Sequence, residues 1–217
     1  VLSRYLNAVA IRTFAQSDLQ AYADAASIPI INALTDLEHP CQALADYLTM
    51  QEAFGSLKGL TMTYVGDGNN VAHSLLIAGA LLGVNVRIGC PAGFYPLEEV
   101  VDQARELAGG RCEISISEDP TEAVRGAHAV YTDVWASMGQ EEEQSTRVQA
   151  FRGFCVNEAL MSHADGKAIV LHCLPAHRGE EISAEVMESS ASRIFDQAEN
   201  RLHAQQALLA TLLGTGG

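Results

Sequence analysis

The stretch LTMTYVGDGNNVAHSLLIAGALLGVNVRIGC, residues 60–90, decides the fold. Leu60–Val65 is a short apolar run of the kind that forms a strand buried on both faces. Gly66-Asp-Gly68 then breaks it with residues that permit a tight turn and close backbone approach. Val71–Leu82 continues as an apolar helix, and Val84–Cys90 returns to strand. His73, Ser74 and Asn85 interrupt the apolar segment Val71–Val86. A core helix followed by a strand therefore fits better than a membrane span, which needs about 18 apolar residues in a row. Strand, turn, helix and strand make the repeating unit of a parallel sheet.

The rhythm extends downstream. Strands are expected at Cys112–Ser117, Ala129–Thr132 and Ile169–Cys173, and helices at Pro96–Ala108, Thr121–Arg125, Glu158–His163 and Ser183–Ser189, with a terminal helix over Glu199–Leu213. Upstream, Ala8–Thr13 and Ile28–Asn32 read as strands, Ser17-Asp-Leu-Gln20 as a capping box opening a helix, and Pro40–Phe54 as a second helix. The expected class is α/β: a doubly wound, Rossmann-like parallel sheet plus the C-terminal part of a second α/β domain. Two strands and two helices are too few for an independent domain. Residues 1–54 thus read as a chain that begins inside a domain, 55–197 as the doubly wound domain, and 198–217 as a terminal helix able to return to the first part.

A formal charge of −14 disfavours nucleic acid as a partner. It leaves room for a small anion, which feels local Arg residues and helix N-termini rather than the net charge. The five cysteines (41, 90, 112, 155, 173) are scattered with no CxxC pair, so neither a disulfide framework nor a zinc finger is expected. With no membrane segment and no cleavable leader at Val1, a cytoplasmic location is the default expectation.

Ligands of open parallel sheets sit beyond the carboxyl ends of the strands. Polar clusters fall there: Asp67–Asn70, Asp133–Gly139 and His172–Gly179. GDGNNV has the G-x-G of a dinucleotide fingerprint but Val71 at the third glycine position, so it is either a strand–helix turn with an Asn cap or a loop gripping a small polar ligand. His39 and Gln42, three apart at a helix start, can face one point and donate to a carbonyl oxygen. Trp135 and Met138, in a loop, are costly to expose without use. His172, Cys173 and His177 lack paired-ligand spacing, which disfavours zinc. Arg201, read at a helix start, opposes the helix dipole unless an anion lies beside it.

Five segments occur in one order: HPCQALADYLT (39–49), YVGDGNNVAHSLL (64–76), TDVWASMGQEEE (132–143), LHCLPAHRGEEI (171–182) and DQAENRLHAQ (196–205). Together they resemble the ornithine carbamoyltransferase family, with the HCLP and SMG strings separating it from aspartate carbamoyltransferases. The resemblance implies two α/β domains around a cleft, one binding carbamoyl phosphate and one L-ornithine, with citrulline and phosphate as products and no cofactor or metal. By position it implies that Arg12, His39, Gln42, Cys173, Leu174 and Arg201 contact carbamoyl phosphate, and that Asn70, Asp133, Ser137 and Met138 hold ornithine. Cys173, Asp133, His39 and Arg12 are the expected catalytic set. Family members are commonly homotrimers. The family's phosphate-binding S-T-R-T-R segment has no counterpart here, since Gln144-Ser-Thr-Arg147 follows the SMG string. Little activity is therefore expected of these 217 residues alone. The alternatives are a carbamoyltransferase acting on putrescine or an acylated ornithine, and a non-catalytic ornithine-binding module.

Overall fold

A computed structural model describes residues 1–136 and 144–214. A short 3-10 turn at Leu2–Arg4 leads into β1 (Val9–Arg12), α1 (Gln16–Ala25), β2 (Ile30–Leu34) and α2 (Pro40–Phe54). Then come β3 (Thr61–Val65), α3 (Asn70–Leu82), β4 (Asn85–Gly89), α4 (Glu98–Ala108), β5 (Ile114–Ser117), α5 (Pro120–Val124) and β6 (Ala129–Thr132). After β6 lie α6 (Gln144–Ala150), α7 (Glu158–Met161), β7 (Ile169–His172), α8 (Ala184–Met187) and α9 (Ile194–Leu213). β1 and β2 form a small parallel pair. The other five strands form a parallel sheet in the order β5-β4-β3-β6-β7.

Every residue of β3, β6 and β7 is buried, because helices cover both faces of the sheet. Alternation along each strand divides the core in two. Tyr64, Tyr131 and Leu171 pack with α3 residues Leu75 and Leu76 on one face. Val65, Val130 and Val170 pack with Phe151, Ile182 and Ile194 on the other. α2 and α3 approach closely at Gly79, where a Cβ would lie 2.3 Å from Val86 Cγ2 and 2.4 Å from the Tyr47 hydroxyl.

Several boundaries differ from the sequence reading. β2 starts at Ile30, after Pro29, which has no N–H to give to a ladder; the Pro29 carbonyl instead accepts from Val9 N at 3.0 Å. α1 starts at Gln16 with Ser17 inside the first turn, so there is no capping box; the Gln16 amide donates to Asp36 Oδ1 at 2.9 Å, a cap supplied from twenty residues away. The acidic run Gln140–Glu143 reads as a solvated helix start; it lies outside the described residues, and the helix described directly after it is α6. α9 begins at Ile194 rather than Glu199, which places Arg201 beyond its first turns and removes any argument from a helix N-terminus. Its early polar residues mislead because they face inward. Gln197 Nε2 donates to Asp46 Oδ1 (2.6 Å), Asn200 Nδ2 to Thr49 Oγ1 (3.0 Å) and Glu52 Oε2 (2.7 Å), and Arg201 Nη1 to Gln42 Oε1 (2.6 Å). These bonds lay α9 along α2. Among the described residues no helix is long and apolar enough to cross a membrane.

Candidate active site

From β3 the chain winds outward through β4 and β5, then returns to place β6 on the other side of β3. The connections leaving β3 and β6 diverge, and a crevice opens at their carboxyl ends. It forms part of a cleft of ≈ 680 Å³ walled by the loops after β3, β6 and β7 on one side and by Arg12, Thr35 and His39 on the other.

The loop after β3 is held tightly: a Cβ on Gly68 would sit 2.1 Å from the Pro96 backbone nitrogen. Asn69 Oδ1 caps α3, accepting from Val71 N (3.0 Å) and Ala72 N (3.2 Å), and Asn69 Nδ2 donates to Asp133 Oδ2 at 2.9 Å. Asp133 follows β6 and is buried; its Oδ1 accepts from Val134 N (2.8 Å) and from Cys173 Sγ (2.9 Å). Burial and then the adjacent Asp133 charge push the Cys173 thiol well up. The sulfur is therefore a protonated donor to Asp133, not a thiolate.

Cys173 is presented by a turn that His172 braces. Leu174 N donates to His172 Nδ1 at 2.8 Å, so the neutral ring carries its proton on Nε2, which donates to Glu181 Oε1 at 3.1 Å. Leu174 has φ of 62°, a left-handed conformation that costs a non-glycine residue roughly 1–2 kcal/mol. The ligand atoms of Asp133, His172 and Cys173 lie within 4.8 Å of one another, but both His172 nitrogens are already engaged.

On the opposite wall, His39 caps α2 and its backbone N donates to Ser74 Oγ at 2.8 Å. Burial, and then Arg201 and Arg12, depress the imidazole to about 4. His39 is thus a neutral ring at ordinary pH, able to donate one N–H. Arg12, at the end of β1, lines the cleft beside it.

Arg12, His39, Asn70, Asp133, Cys173 and Leu174 thus meet at one cleft. Gln42 and Arg201 do not line it; they pair with each other beneath His39. Asn70 faces the cleft, but its Nδ2 donates to Thr35 O at 2.6 Å, tying the two walls together, and it is Asn69 that reaches Asp133. Ser137 and Met138 lie outside the described residues. Trp135 is not an exposed loop residue: it is buried and stacked on Phe151, ring centroids 5.6 Å apart.

Sequence reasoning missed Arg147. It projects from α6 into the cleft wall, where Nη1 donates to Asp67 Oδ2 (2.7 Å) and to Trp135 O (3.0 Å) while the guanidinium lies 5.1 Å from the Phe94 ring centre. Both charges of the pair are nearly buried. The available signal was its helical spacing with Phe151 and Phe154.

Two family models match the chain: aspartate/ornithine carbamoyltransferase, carbamoyl-P binding domain, over residues 1–52, and aspartate/ornithine carbamoyltransferase, Asp/Orn binding domain, over residues 58–212. An ornithine carbamoyltransferase from Prochlorococcus marinus is 72% identical over 214 residues, and one from Parasynechococcus marenigrum is 73% identical; each match covers 99% of this chain and 67% of the relative. Among solved structures, ornithine carbamoyltransferase from Pyrococcus furiosus superposes with a TM-score of 0.95 at 49% identity, covering 100% of this chain and 69% of that one. The Gloeobacter violaceus enzyme gives 0.92 at 56% identity, covering 98% and 72%.

Proposed function

The chain belongs to the aspartate/ornithine carbamoyltransferase family, and from that premise we infer that it transfers the carbamoyl group of carbamoyl phosphate to the δ-amine of L-ornithine, giving citrulline and phosphate. The observation that carries this reading is the Asn69–Asp133–Cys173 cluster on one wall of a cleft whose other wall holds Arg12 and His39. A carboxylate suits an ammonium group, and cationic and N–H donors suit a phosphate and a carbonyl oxygen.

The δ-amine must lose a proton before it attacks, and free in water its pKa is about 10. Asp133 is the proposed acceptor of that proton, and the neutral Cys173 thiol holds the carboxylate in place. The δ-nitrogen lone pair forms a bond to the carbamoyl carbon, the carbon–oxygen bond to phosphate breaks, and phosphate leaves with that electron pair and takes up the second proton shed by the δ-nitrogen. Arg12 and the His39 N–H face the developing oxyanion and the departing phosphate; one such donor contributes about 3 kcal/mol. Gln42 and Arg201 back the His39 side, Leu174 offers its backbone at the carbamoyl end, and Asn70, Ser137 and Met138 are assigned to the α-amino and α-carboxylate groups. In this reading residues 1–54 and the terminal segment 198–217 serve carbamoyl phosphate, residues 55–197 serve ornithine, and the assembled enzyme is a homotrimer of the cytoplasm.

The test is citrulline formation from carbamoyl phosphate by the full protein, with L-ornithine, putrescine, N-acetylornithine and L-aspartate compared as acceptors. Ornithine is expected to be preferred; putrescine or N-acetylornithine as the better acceptor would overturn the assignment of Asp133 to a free amino acid.

A further inference from the structure

Asp46 lies in the middle of α2, fully buried, and no reaction step above uses it. Its Oδ1 accepts two amide hydrogen bonds, from Gln42 Nε2 (2.7 Å) and from Gln197 Nε2 (2.6 Å). Neither amide can be turned round. Gln42 Oε1 already accepts from Arg201 Nη1 (2.6 Å), and Gln197 Oε1 accepts from the His172 backbone N–H (2.9 Å). Guanidinium and peptide N–H only donate, so both amides must present N–H to Asp46. One continuous hydrogen-bonded path therefore runs from Arg201 through Gln42, Asp46 and Gln197 to His172, the residue that braces the Cys173 turn.

The other carboxyl oxygen, Oδ2, is buried and makes no well-formed hydrogen bond among the described residues; the nearby Tyr131 hydroxyl, also without one, is the group on that side that favours the ionised form. An ionised Asp46 would bury an anionic oxygen with only the ill-aligned Tyr131 hydroxyl to offset it, which is costly. A proton on Oδ2 removes that cost. The charged and titratable groups around it are Arg201 on α9, Tyr131 on β6, Cys173 after β7 and Tyr47 on α2 itself. Arg201 alone is cationic, and it is already bonded to Gln42. The balance agrees with the geometry: burial outweighs the donors and pushes Asp46 up to about 7.

We propose that Asp46 is a positioning residue that works as the neutral carboxylic acid, holding the Gln42–Arg201 pair on the carbamoyl phosphate side in register with the Gln197–His172 support of Cys173 on the ornithine side. This rests on the carbamoyltransferase reading. An anion arriving near Arg201 offsets the one positive charge that favours ionised Asp46, so carbamoyl phosphate binding favours the neutral form, and ionising Asp46 weakens that binding.

The experiment compares the wild type with Asp46→Asn, which imitates the neutral acid, and Asp46→Ala, which cuts the path. Asp46→Ala is expected to raise KM for carbamoyl phosphate by ~10-fold or more and to lower kcat, and Asp46→Asn to restore both to within ~3-fold of wild type. The wild-type KM for carbamoyl phosphate is expected to climb as pH rises through about 7, and that of Asp46→Asn to lack this climb. An Asp46→Asn enzyme as impaired as Asp46→Ala, or one with the wild-type pH profile, would overturn the proposal. A second arm needs no turnover: melting temperature against pH without substrate. There Asp46→Asn should gain on the wild type as pH rises from about 4 to about 7, and parallel curves would sink the claim of a buried neutral acid. If the wild type makes no citrulline, the carbamoyltransferase reading fails, while this arm still decides the state of Asp46.

Discussion

At the scale of single residues, the chemistry divides between groups that must be charged and groups that must not. Asp133 is held by three donors, from Asn69, Val134 and Cys173, an arrangement that suits an ionised carboxylate. Asp133→Asn should therefore cost kcat about 10²-fold or more. Cys173→Ser keeps a donor at the same place and should stay within ~10-fold; citrulline assays on the two variants check both values, and a collapse of Cys173→Ser would mean the sulfur itself is needed. His39 and Asp46 make an opposed pair in pH. His39, lowered from 6.5 to about 4, is neutral when folded and protonated when unfolded within that window, so its contribution to stability is full above 6.5 and is lost as pH falls. Asp46, raised from 3.8 to about 7, does the reverse: its contribution is full below 3.8 and is lost as pH rises to 7. The two trends cancel in part between pH 4 and 6.5. His39→Asn should expose the Asp46 trend, with stability falling as pH rises, when both proteins are unfolded in urea at several pH values. That Asp133, Cys173, His39 and Arg12 would meet at one cleft was legible from the sequence, the first three from strand ends or a helix start within the quoted segments and Arg12 from the end of the expected strand Ala8–Thr13. Asn69 was not separable from a plain cap, since it caps and binds Asp133 with different atoms. Asp46 drew no reading of its own within Pro40–Phe54; its burial depends on partners distant in sequence, Gln197 on α9 and Tyr131 on β6.

At the scale of elements, the most legible parts were those whose pattern is local. The run Leu60–Leu82 gave β3 and α3 nearly to the residue, because the strand is apolar on both faces and glycines bound the turn. Elements governed by distant partners were misread. α1 takes its cap from Asp36, the first turns of α9 turn their amides onto α2, and the turn that follows α6 carries Phe151 and Phe154 into the core. The contact of α2 with α3 allows a sharp test. Gly79→Ala would drive a methyl group into Val86 and the Tyr47 hydroxyl, which itself donates to Leu75 O at 2.7 Å. A loss of about 1–3 kcal/mol is expected in denaturant unfolding, although alanine is the better helix former. A neutral or stabilising result would show that the two helices can separate without cost.

At the scale of the molecule, the chain spans about two thirds of the length of the curated relatives it matches. Tyr5, Phe14 and Tyr22 stand 77%, 65% and 54% exposed near the two-stranded sheet, and Leu202 on α9 is 68% exposed. A two-stranded sheet is marginal by itself, and large apolar side chains left exposed beside it add to the apolar surface in contact with water. The 217-residue chain on its own is thus expected to bind an apolar dye and to form little citrulline; robust turnover with no dye binding would contradict this. α9 has a further consequence for how the protein comes into being. The bonds from Gln197, Asn200 and Arg201 reach back about 150 positions to α2, a long loop to close before any contact is gained. During synthesis the nascent chain can lay down the five-stranded sheet while α2 still waits for its partner. The wall behind His39 is then completed only when α9 docks on α2, so a chain cut before Gln197 would keep its five-stranded sheet and leave one wall of its cleft unsupported.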